Sequence, residues 1–120
     1  MSTKTILVVD DEKNLRLFYE KELTDEGYRV LLASDAREAL ESLRSVRPDL
    51  VVLDIKMPGM DGLEALGRIV SRDNSIRVIL NSAFSSYKES FMSWAADAYL
   101  TKSSDLTELK ETIRRLLGDA

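Results

Sequence analysis

Two hydrophobic rhythms alternate along the whole chain. Short apolar runs occur at Ile6-Leu7-Val8-Val9, Val30-Leu31-Leu32-Ala33, Leu50-Val51-Val52-Leu53, Ile76-Arg77-Val78-Ile79-Leu80 and Ala98-Tyr99-Leu100. Between them, apolar residues recur every three or four positions, as on one face of a helix. The first and third runs are unbroken and rich in β-branched residues, which predicts strands buried on both faces. The last run is shorter and suits an edge strand. Helix starts are marked by a short polar residue with Glu three positions later, at Asp35/Glu38, Asp61/Glu64, Ser86/Glu89 and Asp105/Glu108. The first helix carries Leu15, Phe18, Tyr19 and Leu23, the second Ala39, Leu40 and Leu43, and the last Leu106, Leu109, Ile113, Leu116 and Leu117. Strict β-α alternation with short connections predicts an α/β fold with right-handed crossovers. Five strands in one small domain suit a flavodoxin-like, doubly wound parallel sheet of order 2-1-3-4-5, with five helices on its two faces.

Composition narrows the chemistry. The 120 residues fit one domain, 1–120, and no output domain is expected in the chain. Cysteine and histidine are both absent. That excludes disulfides, thiolate nucleophiles, imidazole metal sites, Ser-His-Asp catalysis and any role as a phosphohistidine donor. Carboxylate, hydroxyl, ammonium and backbone groups remain. The net charge is −4, and no basic stripe is interleaved with aromatics, so direct nucleic-acid binding is not expected. No apolar run reaches the roughly 20 residues of a membrane span, and the N-terminus lacks a signal-peptide pattern. The expectation is a cytoplasmic protein that does not engage a membrane.

In an open α/β sheet, ligands bind beyond the carboxyl ends of the strands, where the strand order reverses. For order 2-1-3-4-5 that point lies between strands 1 and 3, which end in Asp10-Asp11 and Asp54. Like charges brought together must take up protons or gather around a cation. An oxygen-only site with few carboxylates suits Mg²⁺, and an Asp beside such an ion can attack a phosphoryl group. Ser82 and Lys102 close strands 4 and 5 and add a hydroxyl and an ammonium for a phosphate. Each residue has a plainer reading. Asp11 can N-cap the first helix, Asp54 can open a turn before Pro58-Gly59, Ser82 can be a loop hydroxyl and Lys102 a solvated charge. The conjunction at one sheet edge weighs against those readings.

These residues resemble the receiver domains of bacterial two-component signalling, the CheY-like response regulators. The matching stretches are Val8-Val9-Asp10-Asp11-Glu12, the run Leu50–Gly62 with Asp54-Ile55-Lys56-Met57-Pro58-Gly59-Met60-Asp61-Gly62, then Val78-Ile79-Leu80-Asn81-Ser82-Ala83 and Ala98-Tyr99-Leu100-Thr101-Lys102. The resemblance implies that Asp54 is the phosphoacceptor. It also implies that Asp11 and Asp54 hold Mg²⁺ with Asp10 acting directly or through water, and that the Lys56 carbonyl completes the set. Ser82 would bond the transferred phosphoryl group, Tyr99 would be the switch aromatic, and Lys102 would pair with the phosphoryl charge. The implied donor is a sensor histidine kinase or histidine phosphotransfer protein. The implied recipient of the signal is a downstream protein or a separate output domain, reached through the face of the fourth helix, fifth strand and fifth helix. A phosphorylation-linked homodimer is a further expectation. The chain would be no enzyme beyond its own phosphorylation and slow dephosphorylation.

Three departures from the family pattern stand out. Ser103 follows Lys102 where Pro with a cis bond is usual, and a cis bond to a non-proline residue costs about 2.5–4 kcal/mol. Ala95 stands where Gly is common. Lys56 and Phe84 occupy positions that flank the phosphoryl group in receivers. Tyr87, Phe91 and Trp94 sit at helical spacing and read as core or as a partner face. An aspartyl-phosphate hydrolase would need a second Asp where Lys56 stands. A flavodoxin-like FMN carrier fits poorly with an acidic pocket, and a constitutive interaction module would not need the acidic set.

Overall fold

Side-chain alternation along the strands divides the core in two. Ile6, Val8, Leu50, Val52 and Ile79 turn to one side of the sheet, where they pack with Tyr19, Leu23, Leu106, Leu109 and Ile113. Leu7, Val9, Val51, Leu53, Val78 and Leu80 turn to the other and meet Ala36, Ala39, Ala65, Leu66 and Ile69. Helices on both faces are why the strand Leu50–Leu53 is apolar at every position, and Thr5–Val9 at all but its first, rather than at every second one.

The computed structural model describes residues 3–83 and 95–118. Its strands are β1 (Thr5–Val9), β2 (Arg29–Ala33), β3 (Leu50–Leu53), β4 (Arg77–Ser82) and β5 (Ala98–Thr101). Its helices are α1 (Lys13–Asp25), α2 (Ala36–Ser42), α3 (Gly62–Arg72) and α4 (Thr107–Leu117). All ladders are parallel, in the order β2-β1-β3-β4-β5. The predicted sheet is therefore present, with β5 at an edge. The helix expected after Ser86/Glu89, together with Phe84, Tyr87, Phe91 and Trp94, lies outside the described residues. Four helices rather than five are thus seen among the described ones. No helix among them is long and apolar enough to cross a membrane.

The capping pairs meet mixed outcomes. Asp35 accepts from the Glu38 amide at 2.8 Å and Asp61 from the Glu64 amide at 2.9 Å, so α2 and α3 start as predicted. Asp105 instead accepts from the amide and hydroxyl of Thr107, one turn position short of Glu108. Thr107 offers two donors, and α4 begins there with Leu106 at its N-cap. Asp11 caps nothing in α1, whose N-cap is Glu12 without a side-chain bond. The α1 stripe also divides: Tyr19 and Leu23 are buried, while Phe18 is exposed.

At the opposite end of the sheet, the α2–β3 and α3–β4 loops are tied by one aspartate. The Asp73 carboxylate pairs with Arg47 at 2.7 Å and accepts from the Ser75 amide and hydroxyl. The Ser75 bonds, joined by Arg47, hold its pKa down from 3.8 to about 2. A depressed folded-state pKa gives stability above the unfolded value that is lost as pH falls through the folded one. The apparent unfolding midpoint, followed by circular dichroism, should therefore drop between about pH 4 and pH 2. In Asp73→Asn that drop should be shallower.

Candidate functional site

The sheet ladder continues one residue past its strands, and that step fixes the site. The Asp10 amide donates to the Ala33 carbonyl at 3.2 Å, the Asp54 amide to Val9 at 3.0 Å, and the Lys102 amide to Ser82 at 2.8 Å. Val9 pairs with Leu53, and Leu53 pairs with Leu80. One step on, Asp10, Asp54 and Asn81 lie level on three neighbouring strands. By alternation they stand on the α1/α4 side, continuing Val8, Val52 and Ile79.

The loop after β3 is pinned from the far side. Asp61 caps α3, and the Gly62 amide donates to the Ile55 carbonyl at 2.7 Å. A Cβ at Gly62 would stand 2.0 Å from the Asp54 carbonyl oxygen and 2.6 Å from the Ile55 Cα. Only glycine lets the helix start this close to the acceptor strand. Gly59, with φ +78°, makes the turn between them.

Asp10 and Asp54 are 2% and 4% exposed, whereas Asp11 is open to solvent. One carboxylate oxygen from each lies within 4.8 Å of the others, a spacing suited to a shared cation. The Lys102 ammonium reaches Asp10 at 2.7 Å and Asp54 at 3.2 Å. The three carboxylates and the Lys102 ammonium together carry a formal charge of −2, so Lys102 only partly compensates the cluster. Hard oxygen donors carrying excess negative charge fit a divalent ion such as Mg²⁺. Burial pushes the Asp54 carboxyl above its usual range, helped by Asp10 and Asp11 and opposed by Lys102. Burial works against the Lys102 ammonium, but its bonds to Asp10 and the charge of Asp54 prevail and raise its pKa.

The predicted site residues come together unevenly. Asp10, Asp11, Asp54 and Lys102 form one cluster, and Lys102 is a mostly buried ion-pair partner rather than a solvated charge. Ser82 ends β4, completely buried. Tyr99 lies on β5, partly buried against the α2/α3 side of the core. Lys56 follows Asp54 by two residues with its side chain exposed. The Lys102–Ser103 bond is trans, and Ala95 does not adopt the left-handed region. Sequence reasoning passed over three supports. Arg16 donates to the Asp10 carbonyl at 2.6 Å, and the Glu12 amide donates to Asp10 Oδ1 at 2.9 Å. Asn81 donates to the Tyr19 hydroxyl at 2.8 Å inside the core. Asn81 was detectable as the polar residue following Ile79 and Leu80 on a buried strand; Arg16 left no such signal.

Fold and site together define a flavodoxin-like α/β domain with a cluster of three carboxylates at its topological switch point. The response regulator receiver domain family matches residues 6–114. The chain belongs to that family, the receiver domains of two-component signalling. It is 34% identical over 119 residues to sporulation initiation phosphotransferase F of Bacillus subtilis, covering 98% of this chain and 96% of that protein. It is 41% identical over 114 residues to the response regulator MprA of Mycolicibacterium vanbaalenii, covering 93% of this chain but only 49% of MprA. Among solved structures, the response regulator TrrA of Thermotoga maritima in complex with Mg²⁺-BeF is 46% identical, with a TM-score of 0.92. That match covers 95% of this chain and 99% of TrrA. TrrA has also been solved in complex with the histidine kinase ThkA; this match is again 46% identical, with a TM-score of 0.90 over 96% of this chain and 99% of the other.

Proposed function

We propose that this chain is a phosphoacceptor switch, taking a phosphoryl group on Asp54 from the phosphohistidine of a sensor kinase or phosphotransfer protein. The observation that carries the reading is the buried Asp54 carboxylate held beside Asp10, Asp11 and Lys102 at one sheet edge. An Asp54 oxygen forms a bond to phosphorus as the bond from phosphorus to the donor nitrogen breaks. The donor imidazole keeps the departing electron pair and the product is an acyl phosphate. Asp11 and Asp54, the Lys56 carbonyl, and Asp10 directly or through water are the groups that would hold Mg²⁺. Both Asp10 oxygens already have protein partners, Glu12 and Lys102, which favours the water-mediated role. A bound Mg²⁺ supplies charge neutralisation for the transferring group. Lys102 pairs with the added charge, and Ser82 and Tyr99 move with it to reshape the face of the helix expected after Ser86/Glu89, β5 and α4 for a target. Phe18, exposed on α1, lines the cleft that Lys102 also lines and offers the donor an apolar surface. The complexes of TrrA with Mg²⁺-BeF and with a histidine kinase support the same assignment.

Incubation with acetyl phosphate and Mg²⁺, followed by intact mass, tests the proposal. Wild-type protein should gain one phosphoryl group, and chelation of Mg²⁺ should abolish the gain. Equal uptake by Asp54→Asn would refute the assignment.

A further inference from the structure

Lys102 sits at the end of β5, yet its ammonium binds carboxylates on β1 and β3. Its side chain must therefore cross the end of β4, a span of about 10 Å between β5 and β3 at the usual strand spacing. A lysine has four rotatable bonds and is easily lost to solvent unless something holds it extended. On the strand end that it crosses, Asn81 is level with Asp54 on the same side of the sheet. Its amide is not aimed at the neighbouring carboxylate. It donates to the hydroxyl of Tyr19, which is 1% exposed on α1. Tyr19, Ala83 and Lys102 line one cleft beside the acidic cluster. A buried, mutually bonded polar pair fixes the geometry between α1 and β4 more tightly than apolar contact, because either group alone would be left unsatisfied.

We propose that the Tyr19–Asn81 hydrogen bond is a positioning element for Lys102: it fixes the ring and amide over which the lysine side chain crosses β4 to reach Asp10 and Asp54. Neither residue touches the reacting atoms. Their effect passes through the ammonium, and its functional consequence rests on the phosphoacceptor reading.

Two measurements on the full chain test it. The first is the order of the Lys102 side chain in metal-free protein, by nuclear magnetic resonance of its ammonium and ε-methylene groups. Wild-type Lys102 should be restricted, and in Tyr19→Phe it should average like a surface lysine. Unchanged order in Tyr19→Phe overturns the inference, whether or not the protein accepts a phosphoryl group. The second is the rate of phosphoryl uptake from acetyl phosphate, read well below each variant's unfolding midpoint. Tyr19→Phe and Asn81→Leu should each slow uptake about fivefold when Lys102 is present and not at all in a Lys102→Met background. The same fold-loss in both backgrounds means a general structural role and overturns the functional part. Should the single variants fail to fold, Tyr19→Phe/Asn81→Leu buries no unpaired donor and carries the same comparison. Absence of uptake by the wild type defeats the phosphoacceptor reading, while the resonance measurement still decides the positioning of Lys102.

Discussion

Gly62→Ala should lose Mg²⁺ binding and about 3 kcal/mol of stability. The added methyl group has nowhere to go: it would stand 2.0 Å from the Asp54 carbonyl oxygen and 2.8 Å from the Asp54 carbonyl carbon. These are backbone atoms of the residue that ends the central ladder, not the movable tip of a side chain. Alanine is the better helix former by about 1 kcal/mol, but that gain is smaller than the cost of driving α3 off β3. The displacement also falls on Asp54 and Ile55, beside the Lys56 carbonyl proposed as a cation ligand. Denaturant unfolding and calorimetric titration with Mg²⁺ measure the two effects. An alanine variant of wild-type stability and affinity contradicts the proposed role for this contact.

Lys102→Met should unfold more readily by roughly 3 kcal/mol at pH 7 in chelator, because it strips two buried carboxylates of their cation. The loss should depend on pH. Burial already places the Asp54 carboxyl above its usual range, with Lys102 pulling it down. A raised folded-state pKa gives stability that is complete below the unfolded value, about pH 4, and declines as pH rises towards the folded one. Without Lys102 the decline is larger, so the gap between variant and wild type should be smallest near pH 4 and widen towards pH 7. Magnesium chloride should stabilise the variant more than the wild type, since the ion no longer competes with an ammonium for Asp10 and Asp54. Thermal melts across pH, with and without Mg²⁺, give the answer. A pH-independent gap contradicts the electrostatic account of the cluster.

The sheet was legible because parallel strands buried on both faces leave unbroken apolar runs, and Leu50–Leu53 has the very bounds read from its run. The capping pairs at Asp35 and Asp61 were legible for a similar reason: an N-cap acts within three residues. Asp105 shows the limit of that rule, since Thr107 lay closer and carried two donors. Strand order and one alternation brought Asp10, Asp11, Asp54 and Lys102 together without coordinates. Spacing could not show that Lys102 is partly buried and paired, because a lysine after an edge strand is equally free to point into water. Phe18 and Tyr19 are adjacent on one helical stripe, and periodicity alone does not tell which of them enters the core. The bond from Asn81 to Tyr19 spans 62 positions and follows no local rule.

The central claim is that Asp54 is the residue that takes the phosphoryl group. Phosphorylated protein can be digested at mildly acid pH and its peptides sequenced by tandem mass spectrometry before the acyl phosphate hydrolyses. The label should fall on the peptide containing Asp54 and at no other carboxylate, and hydroxylamine should remove it. A label at Asp10, at Asp11 or on a hydroxyl group such as Ser82 would contradict it.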